Sequence, residues 1–516
     1  MSDYPVLMYV TALIIVVLLL IRVLGNRALK VVPESCACDE TVPDTALSEA
    51  VDALLDANAE KHPGSLFSPL GKASTALLSR FRLADLAQHT IDAQYYLFHD
   101  DEAGQALLAN LIEAAGRGVK VRLLLDDIGI KGREPVLARL ARETTNLEIR
   151  IFNPVWLRPA RILDYLARFP RSSRRMHNKS FTVDKIVSIV GGRNIGNEYF
   201  NVGDGVSFAD FDVIGAGPVA VDVVKQFDAY WHSGIAVEVI QLGKPCNEEQ
   251  FALCKEQMAQ GQDRFREHSN AHEELALEQL MSGNLEACLG SSRVVYDPPQ
   301  KVMTGLFDTE GNLASLIIKL LSSAQQELLI SSPYFIPGKR GMAVFRELRA
   351  RGVRICLLTN SFAANDVVAV HSGYIDYRQE LVEMGVEMYE FKPDSQTTSL
   401  SFMGSKRSSL HAKTFIIDRK QQFVGSFNLD PRSAIHNTEM GIFFHSVEFA
   451  ESLCQSQLER LESSAYRLRL GKSHSLEWIE VTPTGETIVH TTEPDMTRLQ
   501  RVSVYMLTWL PFEWLL

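Results

Sequence analysis

The chain lacks any pair of CxxC motifs. Its seven cysteines, at positions 36, 38, 246, 254, 288, 356 and 454, are odd in number and widely spaced, so neither a zinc site nor a disulfide framework is indicated. Positive charge is also short. There are 52 Lys and Arg against 63 Asp and Glu, a formal net charge of −11, which argues against a general nucleic-acid binder because affinity for a phosphate backbone comes from clustered cations. No group of Asp and Glu is arranged for Mg²⁺, and no metal or other cofactor is expected. What is left is ordinary globular composition, 46% hydrophobic and 22% charged over 516 residues, enough for two or more cores.

What the chain does have is a repeated constellation. Residues 175–194 read RMHNKSFTVDKIVSIVGGRN and residues 409–428 read SLHAKTFIIDRKQQFVGSFN. His177, Lys179, Asp184, Gly191 and Asn194 match His411, Lys413, Asp418, Gly425 and Asn428 at one offset, 411 − 177 = 234. A second pair of stretches, GRGVKVRLLLDD at 116–127 and ARGVRICLLTNS at 350–361, repeats at the same offset. Two stretches in one register indicate a duplicated unit.

The periodicity within each unit alternates between helix and strand. In the first it predicts a helix over 72–89, a strand over 90–98, a helix over 104–118 and a strand over 119–127. In the second the same order falls at 313–326, 327–335, 341–352 and 353–361. Strands alternating with helices read as an α/β fold, a sheet flanked by helices. The boundaries that follow are a linker at 31–63, a first domain at 64–240, a charged helical linker without chemistry at 241–290, a second domain at 291–465 and a tail at 466–516. Alternation around each HxK places His and Lys on the same strand face, the Asp at a turn, and the Asn in a Gly-rich turn after a second strand.

Two histidines, two lysines and two asparagines suit a phosphodiester. A neutral imidazole attacks phosphorus while a protonated one gives its proton to the departing alkoxide, and Lys and Asn donors hold the charge on the non-bridging oxygens. The doubled HxK(x)4D(x)6G(G/S)xN pattern resembles the phospholipase D superfamily. The segments NSFAANDVVAVHSGYIDY, VGSFNLDPRS and NTEMG are similar to those of its bacterial cardiolipin synthases. The resemblance implies two phospholipase D-type α/β domains about a pseudo-twofold, and a phosphohistidine intermediate.

It also implies roles. His177, Lys179, Asp184, His411, Lys413 and Asp418 form the catalytic set, with His177 as nucleophile and His411 as acid. Both aspartates sit at turns, where a structural part, such as pairing with a nearby cation, is the plainer expectation. Asn194, Asn428 and Ser426 would bind phosphate; Gly192 stands where the other half has Ser426. Each histidine should have an orienting carboxylate, Glu439 for His411 and Asp212 for His177, with Asp210 as the rival. The expected reaction is phosphatidyl transfer, making cardiolipin from phosphatidylglycerol and another phospholipid such as phosphatidylethanolamine. Hydrolysis to phosphatidic acid and a nuclease activity stay open as alternatives, though acidity speaks against nucleic acid.

Membrane contact is expected at both ends. Tyr4 to Ile21 contains 18 residues without a charge, about the minimum for a spanning helix, so residues 1–30 are predicted to be a transmembrane anchor. Arg22, Arg27 and Lys30 follow it, which puts the catalytic domains on the cytoplasmic side of a bacterial inner membrane. Arg168, Arg171, Arg174 and Arg175 beside Trp156 suit anionic lipid or an ordinary basic loop. The tail, with Trp509 and Trp514, suits a membrane-proximal position.

Overall fold

The computed structural model describes residues 4–28, 40–57, 64–203, 206–269, 276–282, 288–304, 311–365, 367–393 and 408–508. The first half carries β1 (Ser65–Leu70), β2 (Thr90–Leu97), β3 (Lys120–Gly129), β4 (Leu147–Phe152), β5 (Ser180–Val183), β6 (Val187–Gly191), β7 (Ser207–Ala209), β8 (Asp212–Ala216) and β9 (Ala236–Glu238). The second carries β10 (Cys288–Tyr296), β11 (Glu327–Ser331), β12 (Arg354–Asn360), β13 (Glu387–Phe391), β14 (Ser408–Leu410), β15 (Thr414–Ile417), β16 (Gln421–Gly425) and β17 (Met440–His445). After these come β18 (Ala465–Leu470), β19 (Leu476–Val481) and β20 (Thr487–His490).

Eighteen of these strands form one sheet. Its two halves meet where β1 pairs antiparallel with β10, Ser65 opposite Gly290 and Phe67 opposite Cys288. Outward from that seam the order is β1-β8-β6-β5-β2-β3-β4-β9 on one side. On the other it is β10-β17-β16-β15-β11-β12-β13-β18. Parallel pairing occurs only at β2-β3-β4 and β11-β12-β13 within these runs, so the strand orders of the two halves correspond about the seam. The parallel strands have buried centres: β11 is buried throughout, and β2, β3 and β12 bury most of their residues, with the partly exposed ones mainly at their ends, as strands covered on both faces must. The helices Glu102–Gly116 and Gly338–Ala350 make the crossovers. The first is capped by Asp101, whose carboxylate accepts from the Gly104 amide at 3.0 Å.

Each half has its own core, and a third apolar cluster straddles the seam. There Phe67 of β1 stacks on Phe444 of β17 with ring centroids 4.0 Å apart. The halves are therefore welded by apolar burial as well as by strand pairing.

Three expectations change. The segment read as a charged helical linker is helical over Glu248–Ser269 but is not exposed along its length: its Phe251, Cys254 and Met258 are buried in the first core against the helix Glu102–Gly116. Its high charge hid a narrow apolar stripe. The tail does not begin at 466: β18, β19 and β20 extend the sheet by antiparallel pairing, and Trp509 and Trp514 lie outside the described residues. At the amino end Tyr4–Ala28 is one helix, and the side chains of 4–10, 12, 13 and 26–28 lie outside the described residues. Among the described residues no helix is long and apolar enough to cross a membrane.

Asp184 and Asp418, carried over as members of the catalytic set, sit at the far ends of β5 and β15 in turns with φ of 52° at both. The Asp184 carboxylate accepts from the amides of Gln88, His89 and Thr90 at 2.7–2.9 Å. That of Asp418 accepts from those of Gln325, Gln326 and Glu327 at 2.7–3.1 Å. Each pins the start of the central parallel strand to the β-hairpin that follows the HxK segment. Their partners are backbone amides, not a cation and not the histidines. Asp184→Ala is expected to lower unfolding free energy by on the order of 2 kcal/mol, since it strips charge-assisted bonds from three partly buried amides. Equilibrium denaturation would measure the loss, and the folded fraction should keep normal turnover.

Candidate active site

Both histidines arrive at the seam between the halves by the same device. β14 runs parallel to β7, Leu410 opposite Ala209, and an isolated parallel bridge sets Met176 opposite Thr438. One step further along each pairing, His411 stands beside Asp210 and His177 beside Glu439. The backbone confirms the register: His411 N donates to Ala209 O at 2.7 Å and His177 N to Thr438 O at 2.8 Å. Side chains complete it. His177 Nδ1 lies 2.8 Å from Glu439 Oε2, and His411 Nδ1 lies 2.5 Å from Asp210 Oδ2.

Each carboxylate thus serves the histidine of the other half. Glu439, expected to orient His411 within its own repeat, is bound to His177. Asp212, expected to orient His177, does not touch either histidine; it is fully buried between Arg80 at 2.9 Å and Arg193 at 3.3 Å. The residue in its place is Asp210, two positions earlier. Alternation does not separate the two, since residues two apart in an extended segment share a face; Asp212 is the first residue of β8, paired opposite Leu70 and Gly191, whereas Asp210 lies before that strand, where it reaches His411. Asp210 follows His177 by 210 − 177 = 33 residues and Glu439 follows His411 by 439 − 411 = 28, so a loop insertion in the first half displaced the counterpart.

The two carboxylates are not electrically alike. Burial pushes Asp210 up, but the charge and hydrogen bond of His411, with Lys413 and Arg193, outweigh it and bring it down to about 2. Burial dominates at Glu439 and holds it up at about 7 against the pull of Lys179 and the Ser426 hydroxyl. Burial and the charges of Lys179 and Lys413 keep His177 well below its ordinary value. His411 is lowered by burial and Lys413 as well, with Asp210 opposing. Lys179 is itself pushed well down by burial, with Glu439 opposing. Its Nζ donates to His177 O at 2.6 Å, and Lys413 Nζ donates to His411 O. The ammonium groups therefore sit against the backbone of the residues they serve, on the floor of the site.

Phosphate-binding expectations divide. Asn194 is occupied by the fold: its Oδ1 accepts from the Leu97 amide at 3.1 Å and its Nδ2 donates to the Tyr199 hydroxyl at 2.8 Å. Asn428 is buried with its Oδ1 left without a partner. Ser426 directs its hydroxyl to Glu439 Oε2 and is not free for phosphate. In the first half Gly192 occupies that place, and a Cβ there would come within 2.2 Å of Asp210 Oδ1. The missing side chain is what lets Asp210 lie against the turn.

Several participants escaped the sequence reading. Tyr96 presents its edge to His177 with centroids 5.1 Å apart, and Tyr199 and Phe208 lie 5.3 and 5.1 Å from His411. Asp126 accepts from the Met176 amide at 2.8 Å. Asn360 grips Leu410 from both sides, its Nδ2 donating to Leu410 O at 3.0 Å and its Oδ1 accepting from Leu410 N at 2.9 Å. Both fix the residue just before a histidine, and the signal was available: 126 + 234 = 360 and 176 + 234 = 410, the offset of the repeat. The arginines read as a lipid-facing patch are mostly internal. Arg168 pairs with Asp164, Arg175 with Asp126, and Arg174 donates to the carbonyls of Lys301 and Thr304.

Paired halves, each lending a carboxylate to the other's HxK histidine, define a two-domain enzyme of the phospholipase D type. The family described as "Cardiolipin synthase, PLD-like domain" matches residues 81–231 and 317–461, and the chain belongs to it. Cardiolipin synthase C of Escherichia coli (strain K12) is 39% identical over 465 residues, covering 88% of this chain and 97% of that protein. Cardiolipin synthase B of the same strain is 26% identical over 376 residues, 72% of this chain and 75% of that protein. Among solved structures, phosphatidylserine synthase of Haemophilus influenzae Rd KW20 matches with a TM-score of 0.56 at 15% identity, covering 90% of this chain and 96% of that one. This last likeness is one of fold.

Two outcomes test the crossing. In Asp210→Asn the His411 imidazole loses the group that raises its pKa, so its titration by NMR should move lower, while that of His177, relieved of part of the His411 charge, should move the other way and by less. Glu439 holds its proton more tightly folded than unfolded, so its contribution to stability is full below its ordinary 4.5 and is lost as pH rises through about 7. The melting temperature of Glu439→Gln relative to the parent should accordingly rise across that window.

Proposed function

We propose that the protein is a phosphatidyltransferase that makes cardiolipin from phosphatidylglycerol and a second phospholipid through a phosphohistidine. The observation that carries this reading is the unequal pair of carboxylates behind two facing imidazoles. Asp210 opposes the fall that burial and Lys413 impose on His411, which leaves His411 the more readily protonated of the two histidines and suits the general acid. Glu439, held near neutrality, leaves His177 neutral and nucleophilic. His177 Nε2 would attack phosphorus, the P–O bond to the first alcohol would break, and His411 would hand its proton to the departing oxygen. The incoming alcohol then returns that proton to His411 as it displaces His177. Lys179, Lys413 and Asn428 would carry the charge on the non-bridging oxygens. The chain's likeness to cardiolipin synthases C and B supports cardiolipin as product.

The amino-terminal helix is proposed to be the membrane anchor, with the catalytic domains cytoplasmic. Its residues Ile14 to Val17, Leu19, Leu20, Val23 and Leu24 are exposed. It packs on the helix Arg161–Ala167, which shows Ile162 at 76% and Leu166 at 59% exposure. Apolar surface of that size, next to the segment leading to His177, fits a lipid interface better than water.

Purified protein incubated with phosphatidylglycerol and phosphatidylethanolamine vesicles should yield cardiolipin, chelator present or not. Release of phosphatidic acid alone would make it a hydrolase. His177→Ala and His411→Ala should each abolish multiple turnover, and the double variant should be scarcely worse than either, because the two act as a unit.

A further inference from the structure

We propose that the second domain holds a separate lipid site, which takes one acyl chain of an anionic phospholipid in a cavity between the helices Leu313–Ser322 and Gly338–Ala350. The cavity measures about 280 Å³ and its walls are apolar, with Ile317, Leu321, Val344, Phe345, Phe427 and Leu429 among its lining residues. Its rim is cationic. Lys339 and Arg340, both exposed, stand in the first turn of the helix Gly338–Ala350. That turn contains no acidic residue. No carboxylate lies within ion-pair distance of either side chain among the described residues. In a chain of net charge −11, two neighbouring cations without partners above an apolar pocket complement a phosphate joined to a hydrocarbon chain.

The cavity also borders the catalytic loop. Phe427 and Leu429 flank Asn428 in sequence, and Ile336 N donates to Leu429 O at 2.7 Å, so the pocket wall and the segment presenting Asn428 are one piece of backbone. The one carboxylate on the wall, Asp430, is buried and accepts from the Ser433 amide at 2.7 Å. It is turned to its own loop rather than to the cationic rim. A chain held here would place a lipid phosphate at Lys339 and Arg340 and leave the histidines free.

The proposal borrows its choice of probe from the lipid reading above, but its test reads binding without turnover, so either can fail alone. The full chain, in detergent micelles carrying phosphatidylglycerol with a diazirine at the end of one acyl chain, is irradiated and digested. Label is expected on peptides from 313–322 and 338–346. Ile318→Trp, which fills the cavity from its half-buried edge, should cut that label about tenfold, the equivalent of losing about two buried methylenes. Val344→Trp serves as the second variant if the first melts early. Lys339→Glu with Arg340→Glu should reduce labelling by this probe but not by a diacylglycerol with the same diazirine chain. Label confined to peptides around His177 and His411, or label on the two helices that neither tryptophan reduces, overturns the site. Equal effects of the charge reversal on both probes overturn the headgroup assignment. An unlabelled face, with a dimer in light scattering that Ile318→Trp dissolves, would assign it to a second copy of the chain.

Discussion

Everything in the catalytic region depends on two hydrogen bonds that cross between the halves, His177 to Glu439 and His411 to Asp210. A histidine buried beside two lysines has no reason to keep one orientation or tautomer unless a carboxylate holds its Nδ1. Here neither half owns both members of a pair. A single domain would present an imidazole without its acceptor and an acceptor without its imidazole, so the site exists only when the halves are docked in one register. The strand seam and the stacked Phe67 and Phe444 therefore do more than add stability. They set, to within a residue, which carboxylate meets which ring.

The concentration of buried charge is the second constraint. Lys179, Lys413, Asp210, Glu439 and both histidines are buried together, an arrangement whose desolvation cost is offset only if every charge has a partner. The partners are present but unequal. Asp210 faces a histidine, with Lys413 and Arg193 close by, and stays strongly acidic, whereas Glu439 leaves Oε1 without a hydrogen bond and is held near neutrality. Near-symmetric repeats thus acquire different proton affinities at equivalent positions. A reaction that needs one base and one acid at the same pH requires that difference. The Ser426 hydroxyl works against that difference, since it lowers Glu439 while Gly192 offers Asp210 no such donor; burial on one side and His411, Lys413 and Arg193 on the other prevail over it.

Around this centre the aspartates of the motif act mechanically. Asp184 and Asp418 tie three successive amides at the start of a central strand, while Asp126 and Asn360, at the other end of the neighbouring strand, hold the residues preceding the histidines. Each HxK segment is thereby clamped at both ends by the strands of its own half. Only its facing side is open to the other half, which is where the carboxylate arrives.

The offset of 234 residues, the two HxK segments and the alternation of helix with strand were all legible in the amino-acid order, because they rest on periodicity and on short-range spacing. So were the identities of both histidines, both lysines and Glu439, whose chemistry has few other uses in that pattern. The partner of each histidine was not legible. Reading each repeat as self-contained assigned Glu439 to His411 and favoured Asp212 over Asp210, since distance along the chain says nothing about which half supplies a group across a seam. The parallel bridge Met176–Thr438 and the pairing of β14 with β7 decided both. They are contacts between segments 262 and 201 residues apart, and their register follows from how the two halves join at the β1–β10 seam. The helix at 248–269 was legible but its burial was not, for a related reason: its apolar face is too narrow to show in composition and became a core element only once a neighbouring helix was there to receive it. Local order determined what chemistry the chain carries, and tertiary packing decided which carboxylate tunes which imidazole.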